Sequence, residues 1–158
     1  MRTTLIAFIS LLLLLLVTGV FWGTWFTLTR SIDSFSAEEF IHIGKVIIAN
    51  VAVPMRILMP AAILFVSLWV VWYYNKKSIG FYFGILGLAT LLITLLITLL
   101  VLVPIDNQIK EWDAATVPAE WTTLRHKWQA YHAGRTITSI ISFACVALSV
   151  ILSKKDEW

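Results

Sequence analysis

Cysteine is almost missing from this chain of 158 residues, which has only Cys145. With no partner thiol, an intramolecular disulfide, a thioredoxin-like CxxC pair and a cysteine-based metal cluster are excluded, and with them the membrane oxidoreductases that relay electrons through paired thiols. Charge is scarce as well. Charged residues make up 13% of the chain against 59% hydrophobic, and the mean hydropathy is +0.88, which excludes an ordinary soluble domain. The sequence has no phosphate-binding loop, no nucleophilic triad and no tight group of metal ligands, and nothing in it implies a nucleic-acid partner.

What is present is apolar helix. Charge-free runs cover 5–28, 57–75, 78–105 and 136–153, each close to the roughly 20 residues that a span requires. The fold expected is all-α, an integral membrane four-helix bundle in the lipid bilayer forming one domain over 1–158. Its spans are placed at about 5–28, 57–75, 79–104 and 132–153, with long connections at 29–56 and 105–131. The first run follows Arg2 but continues through "GVFWGTWFTL" without a small-x-small cleavage site, so a retained span is expected rather than a signal peptide. Each long connection is expected to supply a helical lead-in, one to the second span and one to the fourth. The first starts at a capping box, Ser36 to Glu39, carries His42 and Lys45 and reaches Pro54 and Pro60. The second breaks at Pro104 and restarts near Pro118. Each lead-in ends with an arginine about one turn into the span, Arg56 and Arg135.

Short basic segments at Arg2, Lys76, Lys77, Lys154 and Lys155 favour cytoplasmic N- and C-termini, with the long connections outside. An interfacial aromatic belt is expected from Trp69, Trp72, Tyr73, Tyr74 and Tyr82 on the cytoplasmic side and Trp22, Trp25, Trp112, Trp121 and Trp128 on the other. Gly19 and Gly23, and the series Gly80, Gly84, Gly87, Thr90, Thr94 and Thr98, form small-residue stripes. Such stripes serve either a homo-oligomer face or close packing inside the bundle, and the second use is the commoner.

Residues 120–139, "EWTTLRHKWQAYHAGRTITS", concentrate polar chemistry at the start of the last span. Helical geometry puts Trp121, Arg125, Trp128, His132, Arg135, Ser139 and Ser142 on one arc about 100° wide, with His126 opposite. Interfacial anchoring with a snorkelling Arg135 explains any one of these residues. Their alignment with deeper serines favours an internal polar cavity, because intramembrane ionisable groups usually face the bundle or water. Arg56, His42 and Glu38 could extend that cavity, and Asn107, Gln108 and Trp112 could cover it. A histidine base with guanidinium groups to hold the resulting anion suits an acidic, planar, membrane-soluble phenol or quinol. A haem- or quinone-binding redox protein, with His42 and His132 as axial haem ligands, is a second reading, and a non-enzymatic tetraspan protein that binds a lipid or hydrophobic ligand or assists a membrane complex is a third.

The stretch "VPIDNQIKEWDAATVPAEWTTLRHKWQAYHAGRTITSIISF", residues 103–143, resembles the anthrone oxygenase-like family of small membrane proteins. The resemblance rests on Pro104, Asn107, Trp112, Trp121, Arg125, Trp128, His132 and Arg135; in many relatives Asn stands where this chain has Asp106. It implies four membrane helices and, for some members, oxidation of an anthrone to an anthraquinone by O2 without metal or flavin cofactor. Carried onto this chain, His132 would deprotonate the substrate and Arg125 and Arg135 would hold the enolate. Asn107 would position a substrate oxygen, and Trp112, Trp121 and Trp128 would stack on the rings.

Overall fold

The computed structural model describes residues 2–73, 78–113 and 115–153. In chain order the helices are α1 (Arg2–Thr27), α2 (Ala37–Trp72), α3 (Ile79–Ile97), α4 (Val103–Glu111) and α5 (Trp121–Ser153). A 3₁₀ turn, Thr29–Ser34, lies in the first connection, and a π-helical segment, Thr98–Leu102, joins α3 to α4. No strand occurs among the described residues. Thr3–Ser34, Ala37–Trp72, Ile79–Glu111 and Trp121–Ser153 are each long and apolar enough to cross a membrane. The chain is therefore an all-α, multi-pass membrane protein built as a four-helix bundle. Tyr74, Lys76, Lys77, Lys154 and Lys155 lie outside the described residues.

Helix packing follows from which side chains recur at intervals of three and four. In α1 the buried positions are Ala7, Ser10, Leu14, Val17 and Phe21. In α5 they run through Arg125, Trp128, His132, Arg135, Ser139, Ser142, Val146, Ser149 and Ser153. A stripe that repeats every 3.5 residues keeps one seam facing its neighbours when helices cross at about 20°. Lipid gives apolar helices no hydrophobic reason to associate, so close van der Waals approach has to hold them. The α3 glycines supply it. A Cβ on Gly84 would stand 3.0 Å from Ser149 Oγ, and one on Gly87 only 2.6 Å from Val146 Cγ2. Ser142 Oγ donates to the Gly87 carbonyl at 2.8 Å, so the small-residue stripe of α3 packs against α5 inside the bundle. At Gly19 and Gly23 an added Cβ would meet nothing within 4 Å.

The lead-in and the second span form one rod. Ser36 and Glu39 make the capping box, with Ser36 N–H donating to Glu39 Oε2 at 2.8 Å, and α2 then runs 36 residues through Pro54 and Pro60. Each proline removes one N–H and deprives the carbonyl four residues back of its partner, a loss that membrane helices accommodate through neighbouring groups. The third crossing does not stop at Pro104 but continues to Glu111. Val103 N–H donates to the Thr98 carbonyl, five residues back, and this wider turn leaves Pro104 in the first turn of α4, where its missing N–H is harmless.

Two apolar clusters result. One holds Leu14, Val17, Phe21, Met59, Val66, Trp69, Leu91 and Val146; the other, beside the long connections, holds Ile32, Phe40, Ile41, Ile48, Leu102, Ile105, Ile109, Trp112 and Trp128. Trp69, Trp112 and Trp128 are therefore core residues rather than members of an interfacial belt, whereas Trp22, Trp72 and Tyr82 are exposed. Trp69 lies inside because its indole N–H has a buried partner, Ser149 Oγ, at 3.0 Å.

Candidate active site

A cavity of about 570 Å³ lies where residues of the two clusters meet, within the ~300–1,000 Å³ usual for small-molecule sites. Val20, Phe21 and Thr24 of α1, and Ile47, Ile48, Val51, Ala52, Met55 and Met59 of α2, form apolar walls. Leu95, Thr98, Leu99 and Val103 close the α3 side, with the π segment contributing two of them. The polar lining is Arg56, Asp106, Asn107, Lys110, His132 and Arg135, beside the indole of Trp128. Six lining residues are exposed: Arg56 and Pro60 of α2, Leu99 of the π segment, and Val103, Asn107 and Lys110 of α4. The mouth is therefore on the flank of the bundle, between α2 and the π segment with α4.

At the inner end, Arg135 Nη2 lies 2.9 Å from His132 Nδ1. A guanidinium only donates, so Nδ1 is the acceptor and the imidazole is neutral with its hydrogen on Nε2. Arg135 also stands 4.2 Å over the Phe21 ring. It is 7% exposed, its Nε has no hydrogen-bond partner, and no carboxylate lies within 4.0 Å among the described residues. A buried cation in this state is a strong attractor for an oxyanion. The Trp128 ring is 3.9 Å from the imidazole, and its indole N–H donates to Asp106 Oδ1 at 2.9 Å. Asp106 Oδ2 takes no hydrogen bond among the described residues. Asn107 Oδ1 accepts from Lys110 Nζ at 3.0 Å.

Of the residues singled out from sequence, Trp128, His132, Arg135, Asn107 and Arg56 line this cavity. Arg125, Trp121, Trp112 and His42 do not. Arg125 pairs with Asp33 at 3.2 Å, donates to the Phe35 carbonyl at 3.3 Å and lies 4.9 Å over the Trp121 ring. It ties the first connection to α5, and Trp121 itself tilts against Phe40. Trp112 is buried and its carbonyl accepts from Lys45 Nζ at 2.6 Å, a second tie between the connections. His42 and Glu38 are exposed on α2, so His42 does not share the cavity with His132. Ser139 and Ser142 are buried but do not line this cavity: Ser139 Oγ donates to the Thr136 carbonyl at 2.8 Å, and the Ser139 carbonyl accepts from Thr18 Oγ1 at 3.3 Å. Asp106, Lys110 and Thr98 are lining residues not selected from sequence as site residues. The usable signal was their spacing, eight residues from Thr98 to Asp106 and a further four to Lys110, hidden by treating Pro104 as a helix end. Among the described residues no three His, Cys, Asp or Glu side chains converge as metal ligands would.

The family model described as anthrone oxygenase matches residues 49–145, and the chain belongs to that family. This interval contains the α3, π, α4 and α5 walls of the cavity, its α2 wall apart from Ile47 and Ile48, and Arg56, Asp106, Asn107, Lys110, His132 and Arg135 of its polar lining. No curated protein and no solved structure gave a match.

Proposed function

We propose that the cavity binds a planar, lipophilic phenol or anthrone and promotes its oxidation by O2, with the substrate supplying its own electrons. The observation that carries this reading is Arg135, a nearly buried guanidinium with an unpartnered Nε, held against an imidazole inside an otherwise apolar cavity. Family membership supports the same chemistry. As the substrate's ketone oxygen approaches, Arg135 turns toward it and frees His132 Nδ1. With Nδ1 freed, the neutral imidazole has a lone pair that can accept a proton and later return it.

The balanced sequence is short. His132 takes one methylene proton, and the electron pair left behind spreads into an enolate whose oxygen is held by Arg135. The enolate gives one electron to O2, and the radical pair joins to form a carbon–peroxide bond. The peroxide anion takes back the proton held by His132; loss of the second methylene proton to His132 with cleavage of the O–O bond then yields the new carbonyl and hydroxide, which takes up that proton to leave water. One O2 thus converts CH2 to C=O with one water released. Trp128 forms an aromatic wall and Asn107 offers an amide near the mouth. The roles given to Arg125, Trp121 and Trp112 from sequence become architectural, since each braces the connections above the cavity.

The termini are assigned to the cytoplasm on the positions of Arg2, Lys76, Lys77, Lys154 and Lys155. The test of function is O2 uptake by the purified protein with 1,8-dihydroxyanthrone, followed alongside anthraquinone absorbance. Uptake above a protein-free detergent control that disappears in His132→Ala supports the oxygenase. Saturable ligand binding with no uptake makes the protein a binder instead.

A further inference from the structure

The inner end of the cavity accounts for one polar atom of a ligand, but the charge at the mouth calls for a second. Three basic residues line the cavity against one acid: Arg56, Lys110 and Arg135 against Asp106. Arg135 is buried, whereas Arg56 and Lys110 are exposed on opposite lips, one on α2 and the other on α4. Neither lip residue has a carboxylate within 4.0 Å among the described residues; the Lys110 ammonium donates to the neutral Asn107 amide at 3.0 Å, and Asp106, which attracts it at longer range, is shared with Arg135. Both stand beside apolar lining residues, Pro60, Leu99 and Val103, that are themselves exposed. Interfacial anchoring alone would not require two cations to converge on the same opening.

Resting on the reading that the cavity takes a planar aromatic, we infer that the preferred ligand also carries a carboxylate on an outer ring, at a position remote from the ketone that Arg135 holds. The ketone oxygen goes to Arg135 and the His132 side, the rings lie between the aliphatic walls and Trp128, and the carboxylate emerges between Arg56 and Lys110. Arg56 and Lys110 are specificity residues. A carboxylate at this lip gains two cationic donors while staying partly hydrated, which avoids the full penalty of burying an ion. A fatty acid offers the same headgroup chemistry but lacks the ketone and the flat rings that the inner end is built to hold.

The experiment compares binding of 1,8-dihydroxyanthraquinone-3-carboxylate with that of its uncharged 3-hydroxymethyl counterpart, by quenching of tryptophan fluorescence in detergent micelles. The acid is expected to bind about tenfold more tightly, as one charge-assisted contact at a partly desolvated site would give. In the Arg56→Gln/Lys110→Gln double variant both compounds are expected to bind within about twofold of each other, with the uncharged one unaffected. Both residues are exposed, and each single variant reports separately if the double variant is poorly folded. Equal binding of the two compounds to the native protein overturns the inference while leaving the aromatic cavity intact. A preference that survives in the double variant overturns the assignment to these residues. Failure of both compounds to bind overturns the underlying reading of the cavity itself. Oleate displacing the aromatic acid with equal affinity, and with the same dependence on Arg56 and Lys110, makes the site one for fatty acids and overturns the aromatic assignment.

Discussion

Replacing Arg135 with methionine separates a site residue from a structural one, because the two roles move stability and binding in opposite directions. An arginine deep in a bilayer costs about 3 kcal/mol on insertion scales, and an orphaned Nε adds roughly 1–3 kcal/mol. Against this stand its charged hydrogen bond to His132, worth about 1.5–3 kcal/mol, and its position over Phe21, worth about 1–2 kcal/mol. The two sides nearly cancel, leaving on the order of 1 kcal/mol against the arginine. Methionine has similar reach and no charge, so Arg135→Met is expected to unfold at the same temperature or to be about 1 kcal/mol more stable. Affinity for 1,8-dihydroxyanthraquinone should fall by about 100-fold, the loss expected when a buried charge-assisted contact to a ligand oxygen is removed. Thermal unfolding and fluorescence quenching in one detergent give both numbers. A variant destabilised by more than about 2 kcal/mol that still binds within threefold of the native protein would make Arg135 a packing residue and refute the argument.

Gly87→Ala should destabilise the protein by about 1–3 kcal/mol because its Cβ meets Val146 Cγ2 at 2.6 Å, and adding Val146→Ala should recover part of the loss; Gly19→Ala, with open space, should be nearly neutral in the same unfolding assay. Asp106→Asn retains an acceptor for the Trp128 indole and should leave ligand affinity within about threefold, whereas Asp106→Leu removes that acceptor and should weaken binding by about tenfold in the quenching assay. In a Cys145→Ser background, Thr98→Cys should react with a small lipophilic thiol reagent, be protected by bound ligand, and leave Ser142→Cys unlabelled by comparison. Hydrogen bonds from the Thr116 hydroxyl and the Ala115 and Thr116 amides hold the Asp113 carboxyl below its ordinary range. A depressed folded value stabilises the turn above the ordinary carboxylate range and loses that effect as pH falls through the folded value, so the protection of the Ala115 and Thr116 amides relative to their intrinsic exchange rates should fall only in that acidic window, measured by hydrogen exchange.

The four crossings are legible in the sequence because lipid leaves a helix few alternatives, and the α5 stripe is legible because helical spacing fixes which residues share a face. Spacing does not say what that face meets. Trp128, His132 and Arg135 face open volume, while Ser139 and Ser142 on the same stripe meet Thr18 of α1 and Gly87 of α3. Arg125 and Arg135 are alike in type and face, and they differ because Asp33, from another element, reaches only the first. Asp106 was hidden for a different reason. Proline normally ends a helix, but one wide turn before Pro104 lets the rod continue and brings Asp106 and Lys110 round to the cavity.

On the proposed function, the lateral mouth between α2 and α4 would make the bilayer the solvent from which the ligand is drawn. Occupancy then follows the ligand's mole fraction in the membrane rather than its concentration in water, so diluting the sample with extra lipid should weaken apparent affinity even at constant total ligand. Oxygen, which dissolves better in hydrocarbon than in water, would reach the same opening enriched by the same phase. An oxidation product that is more polar than its precursor would in turn partition outward toward the headgroups, giving the reaction a direction set by the membrane rather than by the protein.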